Sequence, residues 1–132
     1  MSTVPPAGKP TLLMAEDEED TASLLKFLLE RAGYQVVHAP DGHHAQRLID
    51  TMAPPSLVLL DIMLPHLSGL QLLPLIRKKP EWQKVPVVML TADSSEHDIQ
   101  QALAAGANDY MVKPFNPREL TARLSRFLKI AA

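Results

Sequence analysis

Cysteine is absent from the 132-residue chain, so disulfides and thiolate metal sites are excluded and a reducing compartment is allowed. An excess of charge of one sign is also missing. The formal net charge is −2, which gives no ground for general binding to nucleic acid or to a membrane surface. No apolar run is long enough to span a bilayer, and the N-terminus lacks the apolar core of a signal peptide. With Met1 in place, the expected location is cytoplasmic. Internal repeats and low-complexity tracts are absent as well. The length suits one domain with a substantial core.

What is present is a regular alternation of two patterns. Residues 1–10 hold three prolines and little apolar material, so residues 1–9 read as a flexible leader to a domain over residues 10–132. Thr11 to Ala15 is a buried strand that runs into the acidic stretch Glu16-Asp17-Glu18-Glu19-Asp20. Leu24, Leu25, Leu28, Leu29 and Ala32 then share one helical face, and Gly33 suits the left-handed position beyond the helix end. Gln35 to His38 is a second strand. Asp41-Gly42 turns the chain into a helix lined by Ala45, Leu48, Ile49 and Met52, which Pro54-Pro55 ends. Leu57 to Asp61 is the third strand, four apolar residues running into one carboxylate.

The third helix starts near Ser68 and carries Leu70, Leu72, Leu73, Leu75 and Ile76. Pro74 falls inside it and is expected to kink the helix or shorten its first part, because it removes a backbone bond. Val85 to Leu90 is the fourth strand, with Pro86 tolerated at its start and Thr91 at its end. Ser95 is expected to cap the fourth helix with Asp98 as its capping-box partner. Ile99, Ala102 and Leu103 are expected to face inward, and Gly106 ends that helix. Asp109 to Val112 is the fifth strand and leads to Lys113-Pro114. Asn116 caps the last helix, Pro117 takes its first turn, and Glu119 completes a capping box. Leu120, Leu124, Phe127 and Leu128 repeat at helical spacing.

Strands and helices in strict alternation imply an α/β fold. The expected form is a (βα)5 doubly wound parallel sheet of the flavodoxin type, strand order 2-1-3-4-5, covered by helices on both faces. Such a sheet brings the C-terminal ends of all its strands to one edge, where ligands bind. That edge receives Glu16, Asp17, Asp61, Thr91 and Lys113. Two carboxylates about 4 Å apart repel by roughly 4 kcal/mol at an effective dielectric of 20. Three of them need a cation to stay ionised together. Mg²⁺ suits an all-oxygen set, with Mn²⁺ as a substitute, and Lys113 adds a second positive charge. A carboxylate beside both can act as a nucleophile toward a phosphoryl group and form an acyl phosphate. The positive charges neutralise the incoming oxygens, and the Thr91 hydroxyl can donate to the product. Taken singly, Asp61 is an ordinary turn residue, Lys113 a surface residue and Thr91 a helix-approach residue. The phosphoryl-acceptor reading rests on their joint occurrence at four strand ends.

The stretches LLMAEDEED, LVLLDIMLPHLSG, VPVVMLTAD, AGANDYMVKPF and NPRELTARL, in this order and spacing, resemble the receiver domain of two-component response regulators, the CheY-like superfamily. The resemblance covers about residues 10–130. It implies that Asp61 is the phosphorylated residue. Asp17, Asp61 and the backbone carbonyl of Met63 would ligate Mg²⁺, with Glu16 acting through water. Lys113 would pair with the phosphoryl group, Thr91 would move toward it, and Tyr110 would change rotamer with Thr91. The Lys113-Pro114 bond would be cis. The implied donor is a sensor histidine kinase or a phosphotransfer protein. The implied output is a downstream protein on the surface of helix four, strand five and helix five. Such a domain assists its own phosphorylation and slow hydrolysis but is not a turnover enzyme for an outside substrate.

The chain departs from the family pattern in places. Glu16 stands where the family most often has Asp, and Pro74 is unusual in the third helix. Met63 and Asp93 occupy positions that tune phosphoryl lifetime in this family, and Met63 is expected to limit water access. Asp109, Glu119 and Arg123 match part of the charged dimer face of receivers attached to winged-helix DNA-binding domains. Ile99 stands where that group is basic, so a homodimer is only partly specified, and an exposed Ile99 would favour an apolar partner. No DNA-binding or catalytic domain follows the fifth helix. The chain therefore reads as a stand-alone receiver or an N-terminal fragment, without direct contact with nucleic acid or membrane.

Other residues read more simply. Glu18, Glu19 and Asp20 are first-turn acids favoured by the helix dipole. His38, His43, His44, His66 and His97 lack metal spacing and read as surface or loop residues, His66 being near enough to Asp61 to touch an incoming kinase. Trp82 is expected to pack under the loop before the fourth strand. Three alternatives remain. A Mg²⁺-dependent aspartyl-phosphate phosphohydrolase usually has a second acid where Met63 stands. A flavodoxin-type FMN binder would meet repulsion from Glu16 to Asp20. A degenerate receiver would serve as a phosphorylation-independent interaction module.

Overall fold

Side chains along a β-strand point alternately to opposite faces, so a strand apolar at every position must be covered on both sides. The computed structural model, which describes residues 9–92 and 96–127, places such strands in the middle of the molecule. Strand β1 (Thr11–Ala15) is followed by helix α1 (Glu19–Arg31), β2 (Gln35–Ala39) by α2 (Gly42–Thr51), and β3 (Leu57–Asp61) by α3 (Gly69–Lys78). A single 3₁₀ turn (Pro80–Trp82) precedes β4 (Val87–Thr91), which leads to α4 (Glu96–Ala104), β5 (Asp109–Val112) and α5 (Pro117–Leu124). All neighbouring strands pair in parallel, and the order is β2-β1-β3-β4-β5, as the alternation implies. The leader, except Lys9, lies outside the described residues, as do Asp93, the Ser95 cap and Leu128.

The alternation divides the core in two. Leu13, Ala15, Val58, Leu60, Val87 and Met89 face the side covered by α2 and α3, against Ala45, Ile49, Leu72, Leu73 and Ile76. Leu12, Met14, Leu57, Leu59, Val88 and Leu90 face α1 and α5, against Leu25, Leu29, Leu120 and Leu124. Burial of each such side chain stabilises the fold by about 1.5–3 kcal/mol. Trp82 is fully buried beside the β4 approach, as expected.

Helix starts follow local chemistry. Asp41 caps α2 by accepting from the His44 N–H at 2.8 Å. Ser68 and Gln71 form a reciprocal capping box at α3 that the sequence reading had not singled out. Asn116 caps α5 by accepting from the Glu119 N–H at 2.7 Å. The Glu119 carboxylate turns to Arg123 rather than back to the cap, so the expected box is only half formed.

Two expectations about helices need correction. Pro74 does not shorten the first part of α3, which starts at its Ser68 cap and continues to Lys78. Pro74 is on the solvent side, where water can replace the lost backbone bond. On α4, Ala102 is buried, but Leu103 is 43% exposed and Ile99 only half-buried. This helix meets the core through the small residue Ala102, with Ala105 just past its end, so its larger side chains flank the contact. In α1, likewise, Leu25 and Leu29 are buried whereas Leu24 is exposed.

Candidate functional site

Each strand end contributes by stopping where it does. Glu16 follows β1 and is fully buried, while Asp17 beside it is exposed. Asp61 is the last residue of β3 and is 2% exposed. Thr91 is the last of β4 and is buried, and Lys113 follows β5. The Lys113 N–H donates to the Thr91 carbonyl at 2.7 Å, which fixes the lysine's backbone beside β4.

Lys113 then bridges the sheet. Its Nζ donates to Glu16 Oε1 at 2.8 Å and to Asp61 Oδ2 at 2.9 Å. The other oxygens are also engaged. Asp61 Oδ1 accepts from the Met63 N–H at 2.9 Å, and Glu16 Oε2 accepts from the Glu18 N–H at 3.1 Å. Gly69, the first residue of α3, packs directly against the backbone carbonyl of Asp61, and a Cβ there would collide with it. The missing side chain lets α3 start immediately beside the acid.

Charge at this edge is incompletely balanced. Ligand oxygens of Glu16, Asp17 and Asp61 all lie within 4.8 Å of one another, with one ammonium among them. Burial raises the Glu16 carboxyl to about 7. Its bonds from Lys113 and from the Glu18 N–H offset this only in part, and the Asp61 charge adds to the rise. Burial alone would lower the Lys113 ammonium, but its bonds to Glu16 and Asp61 outweigh that and raise it. The lysine therefore stays charged, and near neutral pH the raised Glu16 carboxyl can hold a proton that a divalent cation would displace. An all-oxygen donor set of this spacing fits a hard divalent ion.

The sequence-predicted residues Glu16, Asp17, Asp61 and Lys113 thus come together, and Thr91 shares their edge. Met63 stands at the rim, 71% exposed. Tyr110 pairs in register with Met89, two residues back from Thr91 along β4. Its ring lies 5.4 Å from the Arg123 guanidinium. The Lys113-Pro114 bond is cis. Asp109 and Glu119, matched from sequence to a dimer face, pair within the chain with Arg123 at 2.9 and 3.4 Å. The histidines are not all loose surface residues. His38 is half-buried and bonds the Glu16 carbonyl at 2.7 Å. His66, with φ +73°, stacks on His43 at 4.6 Å and so ties the β3–α3 loop to α2. Neither contact has a spacing signal in the sequence, because each joins elements far apart along the chain.

The family model of the response regulator receiver domain matches residues 12–125. Among relatives, the alkaline phosphatase synthesis transcriptional regulatory protein PhoP of Bacillus subtilis (strain 168) is 42% identical over 120 residues, covering 89% of this chain and 48% of that protein. The transcriptional regulatory protein CpxR of Escherichia coli (strain K12) is 42% identical over 118 residues, covering 89% and 49%. The chain thus spans about half the length of the curated relatives it matches. Among solved structures, the receiver domain of sensor histidine kinase PA1611 from Pseudomonas aeruginosa PAO1, which has magnesium coordinated in its active-site cleft, is 32% identical with TM-score 0.82. That match covers 91% of this chain and 98% of the other. Chemotaxis protein CheY4 of Vibrio cholerae is 29% identical with TM-score 0.85, covering 92% and 100%. Sequence, fold and strand-end chemistry agree, and the chain belongs to the response regulator receiver family.

Proposed function

We propose that Asp61 accepts a phosphoryl group from a phosphohistidine on a sensor histidine kinase or phosphotransfer protein. The observation that carries this is the Lys113 bridge between Glu16 and Asp61 with Asp17 alongside. A carboxylate oxygen of Asp61 attacks phosphorus, the phosphorus–nitrogen bond of the donor breaks, and the leaving imidazole takes a proton. The product is an acyl phosphate on Asp61. Asp17, Asp61 and the Met63 backbone carbonyl are assigned to Mg²⁺ or Mn²⁺, with Glu16 reaching it through water. When bound, the ion supplies charge neutralisation for the phosphoryl oxygens. Lys113 is placed to follow a phosphoryl oxygen once Asp61 gives up its own charge.

Thr91 turns its hydroxyl to the new group, and Tyr110 follows into the vacated space. Tyr110 must then leave Arg123, which alters the α4–β5–α5 face offered to a downstream protein. Phosphorylation shifts this equilibrium only by its differential affinity for the two states. Because Asp109, Glu119 and Arg123 already pair within the chain, a homodimer built on those charges is not favoured. Met63 slows return to the resting state by screening the acyl phosphate from water, and hydrolysis there is slow and assisted by the domain itself. We assign residues 10–132 to this domain and the cytoplasm as its place of action. Among the described residues no helix is long and apolar enough to cross a membrane. Met63, where phosphohydrolases carry a second acid, speaks against that alternative.

Incubation with acetyl phosphate and Mg²⁺ tests the proposal by intact mass. The parent is expected to gain one phosphoryl group, and Asp61→Asn none. A parent that gains no mass overturns the proposal.

A further inference from the structure

The acidic loop after β1 is held from a side that the phosphoryl chemistry does not use. The β1–β2 ladder ends at the Ala15–Ala39 pair. One residue beyond, the Glu16 N–H still donates to the Ala39 carbonyl at 3.1 Å. The Glu16 carbonyl is taken by a side chain, with His38 Nε2 at 2.7 Å. A carbonyl oxygen can only accept, so Nε2 must carry the proton and donate it. Both hydrogen-bonding groups of the Glu16 backbone are therefore anchored on β2. The peptide that follows Glu16 is planar, so fixing its carbonyl also fixes the direction in which the chain enters Asp17. The ligand oxygens of these two acids lie within 4.8 Å of each other and of Asp61.

We propose that His38 is a positioning residue for the divalent-cation site: through its Nε2–H bond to the Glu16 carbonyl it aims the Glu16-Asp17 pair at Asp61. His38 touches no candidate ligand atom and acts only through the backbone of the loop. β2 ends at Ala39, and beyond it the Glu16 carbonyl takes its donor from the His38 side chain. The imidazole lies beside Glu19, Ala22, Ser23 and Lys26 in a groove of about 220 Å³ between α1 and β2, so it is reachable without disturbing the core.

This inference rests on the proposed metal-dependent function, and the test separates the two. Mg²⁺ affinity is measured by titration calorimetry for the parent, His38→Gln and His38→Leu, with melting temperatures taken in chelator as a control for folding. The expected loss in His38→Leu is about three- to tenfold in affinity, the equivalent of one hydrogen bond. His38→Gln, whose amide nitrogen can reach the same carbonyl, is expected to stay within about twofold of the parent. In the parent, ¹⁵N shifts of the ring are expected to report the Nε2–H tautomer. Equal affinity for the parent and a folded His38→Leu overturns the inference alone. So does an Nδ1–H tautomer, which decides the matter if His38→Leu does not fold. Failure of His38→Gln to retain affinity while folded likewise overturns it, since a donor would then not be what the loop needs. A parent that binds no Mg²⁺ overturns this inference and the function it rests on together.

Discussion

Where β4 and β5 begin, one guanidinium is surrounded by oxygen; where they end, one ammonium bridges two of three clustered carboxylates. Arg77, in the last turn of α3, donates from Nε and Nη2 to the Gly106 carbonyl and from Nη2 to Asn108 Oδ1. Its Nη1 donates to the carbonyls of Trp82, Gln83 and Val85. This edge is closed: every nitrogen of the arginine has an acceptor, and two loops are locked to a helix. At the opposite edge Lys113 cannot satisfy Glu16, Asp17 and Asp61 together. The difference separates stability from function within one sheet. The saturated edge holds the strands in place, and the unsaturated edge spends that rigidity on keeping like charges close.

Substitutions at the two edges should therefore differ in sign as well as size. Arg77→Ala leaves several carbonyls without donors and is expected to cost about 3 kcal/mol in urea unfolding, with phosphoryl uptake retained while the chain is folded. Lys113→Met strands Glu16 and Asp61 and is expected to cost about 2 kcal/mol without divalent ion and to abolish uptake. Asp61→Asn relieves repulsion at the same place and is expected to gain about 1 kcal/mol under those conditions while losing uptake. A destabilised Asp61→Asn, or an Arg77→Ala as stable as the parent, would undo the contrast.

A smaller effect follows from pH. Glu16 titrates near 7 in the folded chain against 4.5 in its ordinary state. Its raised value means the folded chain holds a proton that the unfolded chain has already lost. The associated stability is complete below about 4.5 and is lost as pH rises through about 7. Without divalent ion, the melting temperature should fall over that window. Saturating Mg²⁺ competes with the proton, so the Mg²⁺-induced gain in melting temperature should grow as pH rises through about 7. Glu16→Gln should flatten both trends, and a gain that shrinks with rising pH would contradict this assignment.

Much of this was legible in the residues because it depends on strand ends. Leu57 to Leu60 running into Asp61, and Val112 into Lys113, are local patterns, and parallel topology alone brings such ends to one edge. Contacts made by long side chains between distant elements were not legible. Arg77 looks like any basic residue in a last helical turn, and all five of its acceptors lie outside α3; none is announced by spacing. His38 was masked by the same problem. Leu103 misled because helical periodicity marks an apolar stripe without saying how much of it the neighbouring helix covers. Glu119 had the spacing of a capping box, but Arg123 one turn later competes for its carboxylate.

The partners of Lys113 lie 97 and 52 positions earlier in the chain. During synthesis the amine is therefore among the last parts of the pocket to be made. Under the proposed chemistry, a nascent, truncated or misassembled molecule exposes an ordinary aspartate and stays deaf to its donor until β5 has docked. Competence to receive a signal thereby certifies that the whole sheet has been completed.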